Sequence, residues 1–248
     1  MITTRPNRTL RALAAVALGG SLIAGLTSAA HSAPSEFGAG LTITPLRIEI
    51  EDANRGATVM LTNSSQRALP VQTRLFAWSQ AGGEDVYAPS SELTISPSIT
   101  SIPPGETQIV RVLRAGPAVP GEKRYRLIVD QLPDPALARA GEAEARIRFS
   151  VPVFLDRSKA SPAQLDWRIG PGGLELTNAG GLTARIVQVE VKNVAGAIVP
   201  LERNSLRYVL GNSTIAWPME NACAIGTVTV TASIDGGTVN AQPRSTCS

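Results

Sequence analysis

From residue 41 onward the chain is a series of short runs in which apolar and polar residues alternate, broken by Gly, Pro, Asn and Ser. LTITPLRIEIE (41–51) alternates, and ATVMLTN (57–63) follows it. The turn-like SSQRALP leads into a further alternating run, VQTRLFAW (71–78), and SQAGGED reads as a loop. SPSITSIPPGETQIVRVLR is a Pro/Gly turn and then a strand ending near Arg114; Gly105 in IPPGE suits a positive φ. KRYRLIVDQLP (123–133) is a strand stopped by Pro133, and DPALARAGEAEA is a loop. No segment keeps a helical period with caps. Strands spaced about every 8–12 residues, with turn residues between them, predict a β-sandwich.

The stretch AEARIRFSVPVFLDR (143–157) stands out. Ile147, Phe149, Val151, Val153 and Leu155 occupy one parity, and Arg146, Arg148, Ser150 and Pro152 the other. The period of two makes this a strand with one apolar and one polar face. Pro152 cannot donate to a ladder, so the strand is expected at a sheet edge. A long regular edge strand is an aggregation hazard unless something uses it.

DRSKASPAQ (156–164) is a polar, proline-bearing linker and the expected domain boundary. Beyond it LDWRI, GLELTN, ARIVQVEVKN, SLRYVL, STIAWPM and GTVTVTASID are strand-like runs separated by GPGG, AGG, VAGA, GN and DGG. The fold class is therefore all-β, with two tandem sandwiches at 38–157 and 158–248. The halves share an architecture without a repeat that aligns by eye. Trp78, Leu75 and Tyr125 read as core of the first, Trp167 and Trp217 as core of the second.

Composition changes this picture in four ways. Arg5, Arg8 and Arg11 precede the uncharged run ALAAVALGGSLIAGLTSAA, with small residues at Ser28, Ala30 and Ser32. Residues 1–33 are thus a secretory signal peptide, cut near Ala30 or Ser32. That segment holds three Arg and no acid, so its removal takes the formal charge of +3 to zero. No basic cluster with interleaved aromatics remains, which argues against nucleic-acid binding. About 210 residues remain, enough for one large domain or two smaller ones. Cys223 and Cys247 are expected to pair as a disulfide in an oxidising compartment.

The one histidine, His31, falls at the cleavage region. This argues against Ser-His-Asp and Cys-His catalysis and against histidine metal sites, and two cysteines cannot make a four-ligand zinc site. No GxxxxGK[ST] phosphate loop occurs, so no nucleotide is expected. Glu84 and Asp85 are adjacent carboxylates in a Gly-rich loop, better read as solvated than catalytic. The reading is a non-enzyme with no metal and no cofactor.

TPLRIEI, LTNSSQRALPVQTRLFAWSQ, SPSITSIPPGETQIVRVLR, YRLIVDQLP and FSVPVF, in this order and spacing, resemble the periplasmic chaperones of the chaperone–usher pilus pathway, in particular the archaic, spore-coat-like branch. LELTNAGGLTARIVQVEV and SIDGG extend the match more weakly, over about 41–240. The resemblance implies two immunoglobulin-like sandwiches set in an L with a cleft between them. It implies partners that are pilus subunits lacking their last strand, to which the chaperone lends its own before handing them to an outer-membrane usher in the periplasm.

Ala143, Ala145, Ile147, Phe149 and Val151 are then the donor row, since a donated strand supplies main-chain bonds while alternate side chains fill pockets. The same row can face the chaperone's own core, as Val153 and Leu155 are expected to do. In TPLRIEI, Leu46, Ile48 and Ile50 form one face and Arg47, Glu49 and Glu51 the other. The resemblance gives Arg47 the role of binding the subunit's C-terminal carboxylate, for which a forked, permanently charged guanidinium is suited. The family's second anchor is a lysine in the last strand of the first domain, where this chain has Pro152. Arg126 is the first substitute, with Arg148 and Arg74 behind it. Self-association through the donor edge is a further implied contact. Two other readings are a two-domain binding module of another kind and a structural pilus or surface protein.

Overall fold

The computed structural model describes residues 40–117, 120–133, 145–202 and 206–247. The signal segment and Ala143 lie outside these residues. The first set of strands is β1 (Leu41–Thr44), β2 (Ile48–Ile50), β3 (Gly56–Asn63), β4 (Leu69–Ala81), β5 (Glu84–Pro89), β6 (Leu93–Ser96), β7 (Ile99–Ile102), β8 (Thr107–Arg114), β9 (Lys123–Gln131) and β10 (Arg148–Leu155). They form a four-stranded sheet, β1-β3-β8-β6, facing a six-stranded sheet, β2-β10-β9-β4-β5 with β7 also on β4. A 3-10 turn, Arg157–Lys159, separates this sandwich from the second set of strands.

That set is β11 (Leu165–Gly170), β12 (Gly173–Asn178), β13 (Ala184–Asn193), β14 (Ile198–Val199), β15 (Arg207–Val209), β16 (Ser213–Pro218), β17 (Val228–Ile234), β18 (Gly237–Ala241) and β19 (Arg244–Ser245). Its sheets are β16-β12-β11-β19 and β14-β13-β17-β18, with β15 on β13. The tandem all-β immunoglobulin-like architecture read from the sequence is the observed one.

Each sandwich closes on its own core. Val59 and Leu61 of β3, Val110 and Val112 of β8, Leu127 and Val129 of β9 and Val151, Val153 and Leu155 of β10 alternate inward in the first. Each such side chain contributes roughly 1.5–3 kcal/mol on burial. In the second, Trp167 and Trp217 stack at 5.6 Å among Leu174, Leu176, Val191 and Val230. The Cys223–Cys247 disulfide joins a 3-10 turn, Ala222–Ile225, to the residues after β19.

Several local readings change. The run 41–51 is two strands in different sheets: Pro45, Leu46 and Arg47 carry the chain across, and Leu46, expected to share the inward face of Ile48 and Ile50, is 69% exposed. Pro97 does the same between β6 and β7, which had been read as part of a turn. A prolyl residue has no N–H to leave unpaired where one ladder ends and the next begins. The Gly-rich "loop" at 79–85 is a hairpin: Gly82 and Gly83 take positive φ of 59° and 81°, and β5 pairs β4 directly.

A shared local device also relates the two halves. LTN occurs at 61–63 and again at 176–178. Both asparagines are fully buried at the end of a strand. Asn63 Nδ2 donates to the Arg67 carbonyl at 2.6 Å, and Asn178 Nδ2 to that of Leu182 at 2.7 Å. Each Oδ1 accepts the N–H two residues on, Ser65 at 2.9 Å and Gly180 at 3.0 Å. The side chain thus stands in for a backbone ladder where the strand turns.

Truncating either asparagine strands several buried polar groups at once. Asn63→Ala and Asn178→Ala are each expected to cost about 2–3 kcal/mol, read as a lowered urea midpoint. Cys223→Ser with Cys247→Ser is expected to cost about 3 kcal/mol, since the bond closes a loop of sequence separation 24.

Candidate functional site

β10 carries the site because it has two different faces and two different edges. Its odd positions point into the first core. Val151, Val153 and Leu155 are buried there, while Ile147 and Phe149 are half-buried against the same core and Ala145 is exposed. Its edges follow from register. Gln131 N–H donates to the Ile147 carbonyl at 3.0 Å, and the antiparallel pairing runs Arg148↔Asp130 through Leu155↔Lys123. Odd residues therefore exchange main-chain bonds with β9, and even ones direct theirs to the other side.

On that other side β2 pairs, in parallel, only with Val153, Phe154 and Leu155. Asp156 N–H donates to the Ile50 carbonyl at 3.0 Å, which continues the same pattern. The whole strand is thus not an edge, as expected from Pro152; its first part is. Pro152 sits where β2 stops, with its missing N–H on the unpaired side. Arg148 and Ser150 have main-chain groups facing that open side, and the Ser150 carbonyl receives a 3.4 Å hydrogen bond from Arg126 Nη1.

The even face holds a residue the sequence reading passed over. Phe154 is a large apolar side chain on the polar parity, and it is buried. It packs with Trp78, Tyr208 and Leu210 in a cluster separate from both main cores. Trp78, expected in the first core, belongs here instead. Ring centroids are 6.2 Å apart for Trp78–Phe154 and 5.3 Å, edge to face, for Trp78–Tyr208. Tyr208 and Leu210 come from the second sandwich, so this cluster joins the two. Gln80 reinforces the join: its Nε2 donates to the Tyr208 carbonyl at 2.8 Å, and its Oε1 accepts Leu210 N–H at 3.0 Å.

Both first-choice arginines flank this cluster. The Arg47 guanidinium lies 5.3 Å from the Phe154 ring centroid. It pairs with Glu49 and lies 3.9 Å from Asp235 at the β17–β18 turn of the second sandwich. Arg126 lies 3.8 Å from the Trp78 centroid and 5.1 Å from that of Tyr208, with Asp85 of β5 at 3.8 Å. Cations on ring faces are held in place at about 0.5–2 kcal/mol each. Arg126 also lines a cleft of about 370 Å³ between the sandwiches, with Asp85, Tyr87 and Ser150 on one wall and Leu206 and Tyr208 on the other.

The other two arginines lie elsewhere. Arg74 donates to Asp130 at 2.6 Å and Arg148 donates to the other oxygen of the same carboxylate. They clamp β4, β9 and β10 together. Burial alone would raise the Asp130 carboxyl, but the Arg148 and Arg74 guanidiniums hold it below the usual carboxylate range.

A second polar group, also unanticipated, ties the sandwiches. Glu122 is buried, accepts Thr183 N–H at 3.0 Å and the Thr183 hydroxyl, and pairs with Arg124 at 2.9 Å and with Arg157. Arg124 reaches on to the Gly181 carbonyl at 2.6 Å. Arg157, read as linker, also stacks 4.7 Å from the Phe154 centroid. Asp156 beside it is buried and pairs with Arg114 at 2.8 Å. A charge-rich sequence at a domain boundary has no periodicity to reveal such pairing. The one available signal was Phe154, an apolar residue out of phase at the end of a strand.

Residues 40–159 match the family of pili and flagellar-assembly chaperones, PapD N-terminal domain. The first sandwich thus carries this family's domain, and the class that the match supports is the pilus-assembly chaperone of the chaperone–usher type. Among solved structures, the chain is similar to one in the CsuC–CsuE chaperone–tip adhesion subunit pre-assembly complex from archaic chaperone–usher Csu pili of Acinetobacter baumannii. The identity there is 24%, covering 83% of this chain and 98% of that one, with a TM-score of 0.66. The E. coli chaperone DraB matches at 16% identity over 82% of this chain and 98% of its own, TM-score 0.57. A chain of the Salmonella enterica SafA pilin–SafB chaperone complex matches at 15% over 82% and 95%, TM-score 0.59. No curated protein sequence matches.

Because the folded Asp130 pKa is depressed, the stability it lends is present above the unfolded carboxylate pKa of about 3.9 and is lost as pH falls through the folded value. Asp130→Asn is therefore expected to be less stable than the parent at pH 7 and to lose less on going from pH 5 to pH 2. Thermal melts across that range check it; parallel curves would contradict the assignment.

Proposed function

We propose that this protein is a periplasmic chaperone that captures pilus subunits by lending them the open part of β10, holds each subunit's C-terminal carboxylate with Arg47 and Arg126, and passes it to an outer-membrane usher. The observation that carries the reading is the half-paired strand. On the N-terminal side of Pro152 the main-chain groups on one side of β10 have no strand beside them among the described residues; Arg126 lines the cleft next to it, and Arg47 lies on the Phe154 ring at its other end. An incomplete sandwich needs those two things: a strand to complete its ladder and a cation for the end of its chain.

In this reading the donor row is graded. Ala145, Ile147 and Phe149, with Ala143 before them, face the subunit's groove. Val151, buried in the chaperone's own core, marks where the row changes from donor to core. Arg126 takes the place of the lysine that Pro152 displaces, supported by its stacking on Trp78 and its position in the cleft. Export by the N-terminal segment and the family's periplasmic setting support the location.

The test is periplasmic co-expression with the small exported β proteins of the same operon, followed by pull-down through a tag on this chain. Removing one partner of a charge pair costs about 2 kcal/mol or more, roughly thirtyfold in affinity. Arg47→Ala is thus expected to stay folded and to lose most captured subunit; wild-type yield would refute the anchor role. Ile147→Asp with Phe149→Asp is expected to abolish capture. A thermal melt of the free variant separates lost donation from lost folding, and capture that survives the double change would show the donor register to be wrong.

A further inference from the structure

Each proposed anchor arginine already faces a carboxylate, and at the same unusual distance. Arg47 Nη1 lies 3.9 Å from Asp235 Oδ1, and Arg126 Nη2 lies 3.8 Å from Asp85 Oδ2. Both separations are too long for a hydrogen bond, though close enough for strong attraction. Nor are the two carboxylates free to swing closer. Asp235 Oδ2 accepts Arg185 N–H at 3.2 Å, and Asp235 N–H donates to the Arg185 carbonyl at 3.0 Å. Asp85 accepts Gln80 Nε2 at 2.9 Å and the Tyr87 hydroxyl at 3.1 Å. Each is tied to its own sandwich, Asp85 to β4 and β5 and Asp235 to β13.

The arginines are fixed as well, each on a ring of the same aromatic cluster. Their Nε–H groups are buried and have no hydrogen-bond partner among the described residues. Glu49 is a different kind of neighbour: it lies in β2, two residues after Arg47, and is shared with Arg157 at 3.5 Å.

We propose that Asp235 and Asp85 are resident counter-ions that set the affinity of the cleft for a carboxylate. They compensate two guanidiniums lying on apolar rings without taking a hydrogen bond from either. An arriving carboxylate makes the hydrogen bonds that the resident ones cannot reach, and does so against their repulsion. The arrangement selects a group able to approach to bonding distance over a diffuse anion, and keeps the captured end releasable. This inference rests on the reading of Arg47 and Arg126 as carboxylate anchors.

The probe is acetate, titrated into the ¹⁵N-labelled full mature chain while the Nε–Hε resonances of Arg47 and Arg126 are followed. Like charges a few ångströms apart, partly screened, are worth about a fivefold change in affinity. Asp235→Asn is expected to lower the acetate midpoint at Arg47 about fivefold and leave Arg126 unchanged; Asp85→Asn does the reverse. The substitutions are isosteric: Asp235→Asn keeps an oxygen for Arg185 N–H, and Asp85→Asn keeps one for Gln80 Nε2 while its amide nitrogen donates to the Tyr87 hydroxyl. Equal or higher midpoints in the variants would overturn the counter-ion role while leaving the anchors in place. No acetate-dependent shift at either arginine, in the parent or in either variant, would overturn the anchor reading itself and this inference with it.

Discussion

The mismatch in length between β2 and β10 governs this protein. β2 spans Ile48–Ile50 and β10 spans Arg148–Leu155, so one strand can cover only part of the other. A backbone N–H or C=O needs a partner when water is excluded from it. The uncovered part of β10 therefore keeps its main-chain groups satisfied by water, which is what the proposed strand lending requires. Pro152 places the boundary. It ends the β2 pairing without leaving an unmet donor, and it does not disturb the β9 ladder, because its nitrogen is on the other side.

The even face of β10 then decides where a cleft can form. Phe154, Trp78, Tyr208 and Leu210 bury one another between the sandwiches, and Glu122 adds a buried charge met by Thr183, Arg124 and Arg157. An unpaired buried carboxylate would be costly; this one is met on every side. The aromatic cluster and the charge network fix the second sandwich against the first at the end of β10. That places Tyr208 and Asp235 opposite Arg126 and Arg47. Ring packing holds both guanidiniums in place, Arg126 on a strand and Arg47 in the crossing before β2, which suits the proposed role of holding a chain end in register with a strand.

Much of this was legible in the sequence because period-two alternation runs through strands such as β3, β8 and the odd positions of β10. β3, β8, β9 and the odd positions of β10 read correctly as half-buried strands. What escaped reading had physical causes. Pro45 and Pro97 transfer the chain between sheets, and a run such as 41–51 keeps its alternation across the transfer, so Leu46 looked like core. β5 is exposed along its whole length, and its Val86, Tyr87 and Ala88 are adjacent rather than alternating. The paired asparagines lie in tripeptides that are identical while their surroundings are not, which hides the relation between the halves. Trp78, Glu122 and Arg157 act across the domain junction, and no local pattern encodes a partner that lies a domain away. The disulfide was readable because only two cysteines exist.

The most direct test of strand lending is residue-resolved hydrogen exchange on β10, free and in the captured complex. The Phe149 and Val151 amides already bond to β9 and should be protected in both states. The amides of Arg148 and Ser150 face the open side. They should exchange quickly in the free chaperone and become protected once a subunit is bound. Unchanged fast exchange at Arg148 and Ser150 in a stoichiometric complex would mean that capture uses another surface, and would contradict the account.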